Sequence, residues 1–186
     1  MKRFVCVIVA LLITVSAFAQ KWPMSYDQIL DDMKANGVPY GLEFIPYESV
    51  DFDEDLQNFV VGVWYKYFPD YANKYGVPFV CGYVRNDPLN KKHNATCNKR
   101  SDFWKVYYSD ILVFDSGENH NWATYISNHL SIKDKYTVEL ICHELAHVVE
   151  VLRGEDKSRD YKIHNNLTWN REVKRFMDDY GLDISD

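Results

Sequence analysis

The sequence predicts an α+β fold, with helices packed on a small, mainly antiparallel sheet. Three observations predict it. Apolar residues recur at helical spacing in segments near both ends of the chain. Between them lie two runs rich in β-branched and aromatic residues, 77–84 and 103–114. Hydrophobic residues make up 47% of the 186 and charged residues 26%, enough apolar mass for one core and no more.

The first residues precede that fold. Lys2 and Arg3 form a positive start, 4–15 is apolar, and Ala17-Phe18-Ala19 is an A-x-A cleavage pattern. Residues 1–19 therefore read as a signal peptide, Gln20 as the mature start, and 20–186 as a single domain that is secreted or periplasmic. The apolar run is short for a membrane span and no second one follows, so no stable span is expected after cleavage. An uncleaved anchor is the alternative. Losing Lys2 and Arg3 takes the basic residues from 21 to 19 against 27 acidic ones, a net charge of about −8. That balance argues against nucleic acid as a partner, which needs a positive face. The basic stretch from Lys91-Lys92 to Lys99-Arg100 lies in Asn-rich polar sequence and reads as a solvated loop.

The elements follow in order. Residues 25–36 predict a helix, with Ser25 and Gln28 in a capping box and Gly37 as the stop. Residues 53–68 predict a stronger one, because Leu56, Phe59, Val60, Val63, Trp64 and Tyr67 keep helical spacing, and Pro69 ends it. Residues 77–84 alternate and predict a strand; 85–102 read as a long polar loop. Residues 103–114 predict a second strand, with a bulge or turn at Ser109-Asp110. A short helix is expected within 120–130. Asp134 is a suitable N-cap for a long helix to Arg153, with Gly154 as its end. A final helix is expected over 166–180, stopped by Gly181.

Three cysteines lie beyond the signal: Cys81, Cys97 and Cys142. Cys81 and Cys97 flank the polar loop, so an exported chain can bridge them, or they stay reduced. Cys142 falls inside an apolar helix and reads as a buried thiol. There is no C-x-x-C, which excludes a cysteine zinc ribbon.

Within the long helix stands His143-Glu144-Leu145-Ala146-His147. Histidines at i and i+4 project from one helix face and can grip one tetrahedral metal, while the glutamate beside the first reaches a neighbouring water. At about 100° per residue, Val138, Ile141, Leu145, Val148, Val149 and Leu152 gather on one stripe. His143 and His147 fall nearly opposite it, with Glu144 between. Histidines serving only the core would lie within the stripe. Leu140 and Val151 share the histidine side, which implies that this side is covered too. Zinc needs a third protein ligand. The extended H-E-x-x-H-x-x-G-x-x-H pattern is absent, since Arg153 stands at its last position. His164 is the remaining downstream histidine, and Glu172 on the final helix is the competing ligand.

From about Trp104 to Leu182 the chain resembles the SprT-like family of zinc metallopeptidases. The resemblance rests on the strand-like WKVYYSDILVF, then HELAH on a helix, then a loop, then a histidine opening an amphipathic helix that ends in YGL. Trp64-Tyr65 on the earlier helix also suits the family. The family usually has a glycine after its third histidine and an aromatic residue four beyond. Here Asn165 and Thr168 hold those places, with Trp169 one further on. The trailing zinc ribbon of many members is missing, and the export signal departs from their intracellular, DNA-associated role. The resemblance implies a small zincin-like domain, one catalytic Zn²⁺ and a protein or peptide substrate. It implies His143, His147 and His164 as metal ligands.

The chemistry expected is hydrolysis by a metal-activated water, with Glu144 as general base. Tyr161 and Tyr136 are the candidate oxyanion donors. An extended peptide could pair with the strand near 111–114 if that strand is an edge; the alternative is an inner strand. Two other functions stay open: a non-catalytic zinc-binding or surface-binding module, and a metallohydrolase of a non-peptide substrate.

Overall fold

The computed structural model describes residues 25–36, 49–85, 94–101, 107–115, 122–154, 174 and 177–183. The expected signal peptide, Lys91-Lys92, His164, Glu172 and Tyr161 lie outside the described residues.

The first helix, α1 (Tyr26–Asn36), opens as its sequence requires. The Ser25 amide donates to Gln28 Oε1 at 2.8 Å, and the Gln28 amide donates back to Ser25 Oγ at 3.2 Å. A short strand, β1 (Val50–Phe52), leads into α2 (Glu54–Tyr67), whose first turn is capped by Asp53 Oδ1 accepting from the Leu56 amide at 2.7 Å. Pro69 does end α2, but it also opens another helix, α3 (Pro69–Tyr75). A proline lacks the amide that the first helical position leaves unused, so it starts a helix as readily as it stops one.

The sheet contains β2 (Phe79–Arg85), β3 (Ala95–Ser101) and β4 (Tyr107–Asp115) besides β1, in the order β1-β2-β4-β3. The outer pairings are antiparallel and the central pairing, β2 with β4, is parallel. The fold is therefore α+β around a mixed four-stranded sheet. Three expectations need correction here. Part of the expected polar loop is the strand β3, whose polar residues suit an edge position. No bulge or turn interrupts β4: Ser109 faces Phe79 and Lys99, and Asp110 faces Val80 and Asn98, in unbroken register. And β2 is buried along nearly its whole length rather than on alternate residues, because helices cover both sheet faces.

On one face, Phe79, Cys81, Ile111 and Val113 pack against α2 and against α5 (Lys135–Leu152). The short helix α4 (Trp122–Asn128) joins the same core through Ala123 and Ile126. On the other face, Ile29 of α1 meets Val80 and Tyr108, while Val50, Val84, Leu112 and Phe114 form a second cluster. There β1 lies so close that a Cβ on Gly82 would come within 2.7 Å of Val50 Cγ1, which explains a glycine in a central strand. Of the final helix, Lys174 and residues 177–180 are described as helical, and Gly181 follows at φ 63°.

The register also settles the cysteines. Cys81 and Cys97 both face Ile111, from opposite sides of β4. Two strand spacings put their backbones roughly 10 Å apart, beyond the roughly 7 Å that a disulfide spans. Cys81, Cys97 and Cys142 are free thiols. Burial pushes the Cys81 and Cys142 thiols up, so the native protein is expected to resist alkylation at both. Mass spectrometry after unfolding without reductant should show all three carrying the label; two unlabelled positions would restore the bridge.

Candidate metal centre

The helix that carries the motif is well fixed at its start. Asp134 accepts from the Thr137 amide at 2.9 Å and from the Tyr125 hydroxyl at 3.2 Å. Burial alone would raise the Asp134 carboxyl, but these hydrogen bonds hold it below its ordinary value. A lowered folded-state pKa stabilises above the ordinary carboxylate range, and that stability is lost as pH falls through the folded value. Asp134→Ala is expected to cost about 1 kcal/mol at neutral pH. Urea titrations should show the gap between wild type and variant closing in acid. At the other end Gly154 takes φ 71°, a conformation that closes helices.

From Leu140 to Val151 every residue of α5 is buried. The predicted stripe faces the core, and the opposite side is covered as well, including Leu140 and Val151. Two histidines and two glutamates are enclosed with them: His143 (6% exposed), Glu144 (4%), His147 (6%) and Glu150 (8%). Two carboxylates and two imidazoles inside a helix of this kind cost folding free energy that apolar residues would not.

The two imidazoles lie with ring centres 5.0 Å apart and planes at 78°. Two imidazoles bound to one tetrahedral zinc at ordinary Zn–N distances have centres roughly 5 Å apart. The spacing of the two rings is thus that of two ligands of one such ion. His147 Nδ1 also lies 3.0 Å from Glu150 Oε2. Sequence reasoning passed over Glu150. The signal was available, since at helical spacing it falls on the histidine side and three residues beyond His147.

The sheet supplies a second wall. Cys97 of β3 packs into the same core. Burial pushes its thiol well up, and the nearby Glu144 carboxylate adds to the shift. The motif helix therefore lies beside β3, not only behind β4. The segment 111–114 belongs to β4, which is paired on both sides and offers no free edge, so the expected strand-edge role does not fall there. Tyr136 is not brought to the histidines. It is 64% exposed, and seven residues separate it from His143, about 10 Å along the helix axis.

His143, Glu144 and His147 are thus together, as expected from their spacing. Among the described residues no group of three His, Cys, Asp or Glu side chains arranged to hold a metal is found. Both candidates for the third ligand, His164 and Glu172, fall outside them. In comparisons with known proteins, no family model, curated protein or solved structure matches the chain.

Proposed function

We propose that this protein is an exported, SprT-like zinc metallopeptidase with a zincin-like domain. The observation that carries the reading is a pair of buried imidazoles, 5.0 Å between ring centres, with the buried Glu144 beside them on one helix. A cation held between the rings offsets the cost of burying carboxylates there. His143 and His147 supply two ligands and His164 the third. When bound, zinc polarises the scissile carbonyl and makes water nucleophilic near neutral pH. Glu144 takes the proton from the attacking water and returns it to the leaving amine. The edge strand β3, beside the motif helix, is where an extended peptide would add.

Zinc analysis of the purified mature protein, together with cleavage of an unfolded protein, tests the reading. Near-stoichiometric zinc and cleavage are expected in wild type. Zinc retention should fall in His143→Ala, His147→Ala and His164→Ala. If Glu172→Ala loses zinc while His164→Ala keeps it, the third ligand is Glu172. Zinc without cleavage of any peptide substrate would mean a binding module or a hydrolase of another substrate.

A further inference from the structure

The structure points to Glu150 as the residue that positions His147 for metal, and we propose it in that role; the inference rests on the zinc reading above. His147 Nδ1 and Glu150 Oε2 are 3.0 Å apart, three residues apart on one helix, and both side chains are buried. A carboxylate has only acceptor oxygens, so this contact places the imidazole hydrogen on Nδ1. The lone pair is then left on Nε2, the atom that can ligate. The contact also fixes the ring's rotation about its side-chain bonds. Hydrogen bonds of this kind orient metal-binding histidines and increase their basicity.

A salt-link role that merely holds the helix explains less. A helix interior this apolar has little use for a buried carboxylate, whose enclosure is costly unless it serves a partner. Its partner here is one histidine of the H-E-x-x-H pair. Glu150 is a positioning residue, not a ligand and not a catalytic one.

The test uses zinc-free mature protein and zinc alone, with a chromogenic chelator as competitor. Glu150→Ala is expected to weaken zinc binding by about 10- to 100-fold. Glu150→Gln keeps an amide oxygen that can accept from Nδ1–H, so it should recover most of the affinity. A structural role alone would not produce that rescue. Nitrogen-proton NMR on the zinc-free protein gives a second readout: His147 should carry its hydrogen on Nδ1 in wild type and in Glu150→Gln, and lose that bias in Glu150→Ala. Wild type that binds zinc, with Glu150→Ala binding equally well, overturns this inference alone. Loss in Glu150→Ala as complete as in His147→Ala makes Glu150 a ligand and also overturns it. Wild type that takes up no zinc overturns the metal reading and this inference together.

Discussion

Glu144→Gln is expected to lower the turnover of peptide cleavage by about 10²- to 10⁴-fold, the usual contribution of a general base. Glutamine matches the size of glutamate but cannot take a proton at neutral pH. Zinc content should not change, because the proposed ligands are His143, His147 and a third residue elsewhere. Glu144 is 4% exposed and its neighbours on both sides are buried, so a substitution of similar size is the right probe. Alanine there would leave a space in the core and confuse chemistry with packing. Elemental analysis and cleavage of an unfolded protein, run on the same preparation, separate the outcomes. Full activity in Glu144→Gln would remove Glu144 from the chemistry. Loss of zinc along with activity would show that Glu144 holds the site together rather than moving protons.

Trp64→Ala is expected to give the largest loss of stability, about 3–5 kcal/mol. The indole is fully buried, stacks on Phe68 at 5.3 Å and meets Phe79 edge-on at 5.7 Å. Its Nε1–H donates to the Gly76 carbonyl at 2.8 Å, where α3 ends and the chain turns towards β2. One side chain thus ties α2, α3 and the sheet together. Against a total of about 5–15 kcal/mol for an ordinary domain, its removal takes a large share. Trp64→Phe retains ring packing but leaves the Gly76 carbonyl without its donor, costing about 1–3 kcal/mol. Urea unfolding checks both, and the slope of free energy against urea should stay constant if the native state keeps its extent.

The helices were legible because their ends carry chemistry as well as periodicity. Ser25 with Gln28 and Asp134 cap as their positions imply, while Asp53, expected as the first helical residue, is the cap that precedes α2. What was not legible follows from local rules that point both ways. Pro69 stops one helix and starts another. The strand β3, Ala-Thr-Cys-Asn-Lys-Arg-Ser, has the composition of a loop, because an edge strand can remain polar. Ser109 and Asp110 resemble turn residues, yet long-range pairing on both sides holds them in a buried strand. The histidine face was legible because helical spacing fixes which residues share a side. The proposed third ligand is not constrained in that way: no periodicity connects His147 to a residue on a different segment. The choice between His164 and Glu172 therefore needs the zinc measurements.

The central parallel pairing has a consequence for how the chain acquires its shape. During synthesis β2 emerges before β3, and β3 before β4, which belongs between them. β2 cannot settle against the next strand to arrive, since its lasting neighbour on that side is the one after. Its apolar edge must wait open until Tyr107–Asp115 is available, and β3 must then close on the far side of the newcomer. An interruption between 101 and 107 would leave a bare, sticky strand exposed to other chains.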